Sequence, residues 1–251
     1  MTEPDVTLVL LHAFPLSSAM WGAQRDALAD VCRVITPDQR GFGGTPLGDD
    51  APSLERAADD VVALLDRLGL DRVVLGGLSM GGYVTMRVLA RYPERVRGLV
   101  LADTKATADP AEVRERREQV ARRAAEPGGM GALATEQLPV MLGRSTLERR
   151  PDVVEAVRSQ LAAAPAESVA WASRAMAARP DSLDVLAAAD VPALVLVGEE
   201  DTLTGVPDAE AMAAALPRGR LVHIPAAGHL SALENPGPFG AAVREFVVAL
   251  P

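Results

Sequence analysis

The stretch Val73-Val74-Leu75-Gly76-Gly77-Leu78-Ser79-Met80-Gly81-Gly82-Tyr83-Val84-Thr85-Met86 passes from an apolar, β-branched run into a segment of helical period, with Ser79 on the turn between them. Glycines at 77 and 81 admit a close strand-to-helix approach that a side chain would block. They also leave the serine free to occupy a strained backbone conformation with its hydroxyl exposed. The pattern Gly77-Leu78-Ser79-Met80-Gly81 therefore marks Ser79 as a nucleophile on a strand-to-helix elbow. A glycine-rich turn that only packs a helix onto a strand has the same local sequence, so the distinction rests on partners elsewhere in the chain.

Working outward, strand-length apolar runs recur at residues 6–12, 32–37, 73–78, 96–102, 193–197 and 220–224. Segments of helical period lie between and after them, at 18–29, 53–68 with Ser53 as N-cap, 80–91 ending before Pro93, 208–216 and 238–250. Strands alternating with helices predict an α/β fold, a mainly parallel six-strand sheet with helices on both faces. Between Asp103 and Val191 the alternation stops. Helix-like stretches rich in Ala, Arg and Glu follow one another, punctuated by Pro127-Gly128-Gly129, Pro151, Pro165 and Pro180. Residues 1–103 and 191–251 are expected to form the core, and 104–190 a helical lid inserted between the fourth and fifth strands. Apolar residues at helical spacing, Leu133, Leu138, Met141, Leu142, Val153, Val157 and Leu161, would fold this lid against the core, over the strand ends where open parallel sheets bind ligands. A bland spacer is the alternative.

The composition limits the function classes. The chain has 251 residues, 49% of them hydrophobic, enough for a large core in one domain with an insertion. Its formal net charge of −9 would repel a nucleic acid. Cys32 is the only cysteine, so neither an intramolecular disulfide nor a cysteine-held metal is expected, which fits a reducing cytoplasm. The start Met1-Thr2-Glu3-Pro4-Asp5 is acidic where a secretory signal would be basic, and no run approaches the roughly 18 apolar residues of a membrane span. A cytoplasmic protein without membrane contact is expected.

A serine hydroxyl needs a base, and the three histidines compete for that part. His12 ends the first strand run and His223 lies inside the last one, where it reads as a packed strand residue. His229 follows that strand in Pro225-Ala226-Ala227-Gly228-His229, on a loop at the carboxyl end. The acid that orients the base belongs on another such loop. Asp201 fits, following the fifth strand run through Gly198-Glu199-Glu200, and completes the order Ser, acid, His. Asp103, after the fourth run, is a second candidate, and Glu199 and Glu200 are neighbours to weigh. Two backbone amides should receive the oxyanion, that of Met80 and that of Phe14 in His12-Ala13-Phe14-Pro15-Leu16, since Pro15 has none to give. His12 reads as a brace for this loop. It also stands with Met141, Leu142, Trp171 and Met176 among the residues expected around the substrate pocket.

Taken together, His12-Ala13-Phe14-Pro15, Asp38-Gln39-Arg40-Gly41-Phe42-Gly43, Gly77-Leu78-Ser79-Met80-Gly81-Gly82, Gly198-Glu199-Glu200-Asp201 and Gly228-His229 resemble the α/β-hydrolase fold family over essentially the whole length. Within it, the chain is similar to small lidded esterases and lactonases of the 3-oxoadipate enol-lactonase type. The resemblance implies acyl transfer through Ser79 and a small-molecule ester or lactone substrate; the sequence shows no nucleotide loop or metal-ligand set, so no cofactor or metal is expected. Ser79 argues against the dehalogenases and epoxide hydrolases of this fold, which carry aspartate at the elbow. Carbon-carbon bond hydrolases, perhydrolases and hydroxynitrile lyases share the serine, and an idle triad in a ligand-binding protein is a further alternative. Two departures stand out. Ala13 replaces the usual glycine of the oxyanion loop, where a methyl group is expected to restrict the backbone. The first strand run also lies almost at the start of the chain, without the antiparallel hairpin that often precedes it.

Overall fold

The computed structural model describes residues 6–250; the acidic start read above, residues 1–5, lies outside the described residues. In chain order the core begins with β1 (Thr7–Leu11), α1 (Gly22–Leu28), β2 (Arg33–Ile35), α2 (Leu54–Arg67), β3 (Val73–Leu78), α3 (Met80–Arg91) and β4 (Val96–Ala102). Six helices follow without a strand: α4 (Ala111–Ala124), α5 (Gly129–Met141), α6 (Arg144–Arg149), α7 (Pro151–Ala163), α8 (Ala166–Ala177) and α9 (Leu183–Ala187). The core resumes with β5 (Ala193–Gly198), α10 (Val206–Ala215), β6 (Gly219–Ile224), α11 (Ser231–Glu234) and α12 (Pro236–Val248).

The strands form one sheet in the order β2-β1-β3-β4-β5-β6, with every neighbouring pair parallel. Alternation along β1 shows why both faces are covered. Leu8 and Leu10 pack with Trp21, Leu28, Phe239 and Val243 of the α1 and α12 layer, whereas Val9 and Leu11 pack with Val61, Leu65, Val84 and Val88 of α2 and α3. Because β1 lies between β2 and β3, the chain leaves β1 and β3 toward opposite faces. The crevice this opens at their carboxyl ends is where ligands bind in such sheets. Phe14 and Ser79 stand on its two sides.

The expected helix at 18–29 is divided. Asp38 Oδ1 accepts from the Ser18 amide at 2.7 Å, and the Met20 amide bonds to Ser17 O, so the chain first makes a tight turn over Ser18–Trp21. The helix proper starts at Gly22. Ser53 caps α2 as expected, its Oγ accepting from the Arg56 amide at 3.3 Å. The helices α10 and α12 begin about two residues earlier than their apolar periods suggest, because Pro207 and Pro236 occupy first-turn positions that need no amide. His223 lies in β6 but is exposed rather than packed, since β6 is an edge strand.

The inserted helices are tied down at several points. α4 packs along α8, and α5 along α7. Trp171 Nε1 donates to Asp50 O at 2.8 Å, and Arg40 lies over its indole at 5.9 Å. Arg87 of α3 donates to Ser182 Oγ at 2.7 Å, while α9 lies against α3 and α10 and so joins the layer on the sheet.

The packing of α3 on the sheet depends on having no side chain at one point. A Cβ on Gly81 would lie 2.2 Å from Leu11 O, whereas one on Gly131 in α5 would meet nothing within 4 Å. Gly81→Ala is predicted to lower the unfolding free energy by about 3 kcal/mol. Gly131→Ala should raise it by roughly 0.5–1 kcal/mol. Urea unfolding of the two variants checks this.

Candidate active site

Ser79 links β3 to α3 with φ 54° and ψ −112°, in the region that residues with a side chain rarely enter. The turn is held on every side. Its amide donates to Ala102 O at 3.0 Å, and its carbonyl accepts from Gly82 N, Tyr83 N and Thr104 Oγ1. A Cβ on Gly77 would overlap the backbone of Gly81, and one on Gly82 would overlap Thr104, so glycine is required where the sequence has it. The serine hydroxyl is thereby presented ahead of the first turn of α3, where helix amides favour negative charge.

His229 and Asp201 reach this hydroxyl from two separate loops. His229 Nε2 lies 2.8 Å from Ser79 Oγ, and Nδ1 lies 2.9 Å from Asp201 Oδ2. Asp201 is itself fixed by donors: the amides of Leu203 and Thr204 to Oδ1 at 2.8 and 3.1 Å, and Thr204 Oγ1 to Oδ2 at 2.9 Å. Burial would raise the Asp201 carboxyl, but His229 and these amides outweigh it and hold its pKa below the ordinary value. Burial likewise disfavours imidazolium at His229, and the charges of Asp201, Asp103 and Glu234 together turn the balance upward.

The other acidic candidates are occupied elsewhere. Asp103, at φ 43°, accepts from Gly198 N at 2.8 Å through Oδ1 and from the Ser231 amide and hydroxyl through Oδ2. It thus joins the end of β4 to the loops that carry Asp201 and His229. Full burial, followed by the nearby Asp201 charge, raises its pKa to about 8. Glu199 is exposed. Glu200 accepts from the Ser145 amide at 2.8 Å and from its hydroxyl, which anchors the start of α6 to the loop that carries Asp201. Glu234, which no sequence pattern marks, accepts from Gly143 N at 2.7 Å and Leu230 N at 3.0 Å, binding the inserted helices to the His229 loop. Thr204 and Ser231 also join the site through their hydroxyls. A loop hydroxyl leaves no periodic signal in a sequence, and only its contacts reveal it.

Across the crevice, His12 is fully buried and neutral, its pKa lowered by burial to about 4. Its Nε2 accepts from the Gln39 amide and its Nδ1 donates to Ala13 O, each at 2.9 Å, so it braces the loop after β1. Ala13 does not take a positive φ; its methyl group packs in the α1 and α12 layer, and the alanine is accommodated without backbone strain. The loop is closed by Leu16 N to Ala13 O and Ala13 N to Met20 Sδ, neither of which uses the Phe14 amide. Met80 is the first residue of α3, so its amide lies ahead of the helical ladder.

A cavity of about 380 Å³ opens over this constellation, lined at its base by Phe14, Ser79, Thr204 and His229 and on the inserted side by Met141 and Met176, among others. Three residues expected around the pocket lie outside its lining. His12 is buried beneath the loop it braces, Leu142 packs among Leu138, Val153 and Val157, and Trp171 faces Asp50 and Arg40. A residue's helical period places it on an inward face without telling whether that face meets a cavity or another helix. A second surface hollow of about 500 Å³, between the β2 to α2 loop and α2, is remote from Ser79 in its lining.

A serine elbow at the switch point of a parallel sheet, facing a histidine and an aspartate on later loops, defines a hydrolase architecture. A match to the alpha/beta hydrolase fold spans residues 6–236, and the chain belongs to that family. A thermophilic esterase from Thermogutta terrifontis, solved with malate bound, is 43% identical with a TM-score of 0.95, covering 99% of this chain and 92% of that one. The enol-lactonase from Burkholderia xenovorans LB400 is 30% identical with a TM-score of 0.89, again covering 99% and 92%. The 3-oxoadipate enol-lactonase 2 of Acinetobacter baylyi is 29% identical over 239 residues, 94% of this chain and 86% of its own length. The protein is an α/β hydrolase. No helix among the described residues is long and apolar enough to cross a membrane.

The electrostatics make a prediction that needs no substrate. In an NMR titration the His229 imidazole should gain its proton at a pH above the ordinary 6.5, and His12 only near pH 4. Asp201→Asn removes a raising charge and should move the His229 midpoint downward. An unmoved midpoint would contradict the coupling.

Proposed function

We propose that the protein is a serine hydrolase that cleaves a carboxylic ester or lactone of a small molecule through an acyl-enzyme on Ser79. The observation that carries this reading is the unbroken line from Ser79 Oγ to His229 Nε2 at 2.8 Å and from His229 Nδ1 to Asp201 Oδ2 at 2.9 Å. Ser79 Oγ attacks the carbonyl carbon as His229 Nε2 takes its proton, and the carbonyl π pair moves onto oxygen. The amides of Phe14 and Met80 receive that oxyanion. When the intermediate collapses, the alkoxide leaves with the proton from His229. A water then gives a proton to His229 and attacks the acyl carbon, and the second collapse returns Ser79 with its hydroxyl proton and releases the acid. In a lactone the alkoxide stays attached to the acyl chain, and one hydroxy acid is released.

Asp201 acts in this scheme by holding the Nδ1–H tautomer and offsetting the transient imidazolium charge, assisted by Thr204. The family's esterase and lactonase members support the choice of substrate class. The inserted segment 104–190 serves as the lid, because Met141 of α5 and Met176 of α8 close the cavity over Ser79. Its links through Glu200 and Glu234 fix it to the loops that carry the acid and the base.

Ser79→Ala should abolish labelling by a fluorophosphonate probe and lower kcat for 4-nitrophenyl acetate by at least about 10³-fold. Asp201→Asn should cost roughly 10³–10⁴-fold in kcat, and Asp103→Asn less than about tenfold, because Asp103 does not touch His229. Labelling of folded Ser79→Ala at the parent's rate would refute the nucleophile assignment.

A further inference from the structure

The cavity over Ser79 carries the opposite charge from the molecule as a whole. The chain has 34 acidic residues against 25 lysines and arginines, yet no carboxylate lines this cavity, while Lys105, Arg116 and Arg117 do. Lys105 is also the only lysine in the chain. It follows Thr104, whose hydroxyl donates to Ser79 O at 2.9 Å, so it rises beside the nucleophile turn.

One buried carboxylate organises these cations. Asp109 has a fully buried side chain, and Arg179 grips it with Nη1 2.7 Å from Oδ2 and Nη2 2.8 Å from Oδ1. The same guanidinium donates to the carbonyls of Met176 and Thr107 and stacks 4.0 Å from the Tyr83 ring centre. Arg117 Nε also binds Asp109 Oδ2, and Lys105 Nζ stands 3.5 Å from Oδ1. Burial would raise this carboxyl, but Arg179 and Arg117 outweigh it and hold its pKa at about 2, so one negative charge persists throughout the working range. Arg179 alone offsets that charge. Lys105 and Arg117 add two positive charges beside it. Asp208 on α10 is the other carboxylate that senses Lys105; it is half-buried, and desolvation raises its pKa. Arg116 is turned to the rim and pairs with Glu112.

The donors left over point to a ligand. Arg117 Nη1 has Met176 Sδ at 3.4 Å, a weak acceptor for a charged donor, and the Lys105 ammonium has three protons but one ion partner at 3.5 Å. Charged donors with spare capacity on the wall of a partly closed cavity favour an anion strongly. We infer that Lys105 and Arg117 form an anion subsite, and that the substrate is an ester or lactone bearing a carboxylate in the same molecule. The hydrolytic part of this statement rests on the reading of Ser79 given above; the subsite itself does not.

The test compares matched esters that differ by a carboxylate for a methyl group, monomethyl succinate to monomethyl adipate against methyl butyrate to methyl hexanoate, by pH-stat at low ionic strength. The ratio of kcat/KM for the best anionic ester over its neutral partner should fall at least tenfold in Lys105→Gln, survive largely in Lys105→Arg, and decline with added salt. Arg117→Gln should lower it too, with thermal melting measured alongside because Arg117 also binds Asp109. A ratio unchanged within twofold in both glutamine variants would overturn the subsite. Calorimetric titration of Ser79→Ala with succinate separates the two readings. Saturable binding that weakens at least tenfold with Lys105→Gln supports the subsite even if no ester turns over. Absence of succinate binding in a protein whose ester turnover depends on Ser79 overturns the subsite and leaves the hydrolase reading standing.

Discussion

Ser79 occupies a backbone conformation, φ 54° and ψ −112°, that costs on the order of 1–3 kcal/mol and persists because its surroundings leave it no alternative. The constraint is steric before it is chemical. α3 must come so close to β1 and β3 that Gly81 sits against the Leu11 carbonyl and Gly77 against Gly81 itself. Given that approach, the turn between strand and helix can only thrust residue 79 outward, at the point where the chain leaves β1 and β3 in opposite directions. The loop that carries Phe14 after β1 and Ser79 after β3 therefore face one another as a consequence of strand order.

Charge on the other side of the crevice follows from burial. Asp201 and Asp103 are both buried carboxyls at the ends of adjacent strands, but their surroundings divide them. Asp201 meets the imidazole and two amides and is held ionised, whereas Asp103 is raised to about 8 by deep burial and by the charge of Asp201. Two like charges in so small a volume oppose one another's ionisation, and the rise falls on the carboxyl that does not face His229. Asp103 instead ties three loop origins together through Gly198 and Ser231. Glu200 and Glu234 extend the same bracing to the inserted helices, so the cavity wall and the loops of Asp201 and His229 share a support.

Much of this was legible from residue order. Strand runs bounded by glycine and proline, a serine flanked by glycines, and an aspartate and a histidine after the last two strands each leave a local mark. Loop position favours Asp201 and His229 over Asp103 and His223, but Asp103 also fits the order Ser, acid, His, and only its contacts to Gly198 and Ser231 set it apart. What stayed hidden depends on tertiary contact. Leu142 and Trp171 have the spacing of inward-facing helical residues, as Met141 and Met176 do, and only the lie of the helices separates packing from cavity lining. Nothing in the local sequence sets Lys105 and Arg117 apart; Asp109, eight residues before Arg117 and seventy before Arg179, gathers them only in the fold. The tight turn before α1 arose from a side chain, Asp38, twenty residues away.

The proposed mechanism depends on covalent attack by the Ser79 hydroxyl, which trapping of the acyl intermediate would reveal. The protein would be mixed with an excess of a 4-nitrophenyl ester, quenched in acid during turnover, and analysed by intact and peptide mass spectrometry. One added acyl group is expected on the peptide that contains Ser79, forming in Asp201→Asn or at low pH no faster than 4-nitrophenol is released. Steady turnover with no acyl adduct, or an adduct that maps to another residue and forms equally in Ser79→Ala, would contradict it.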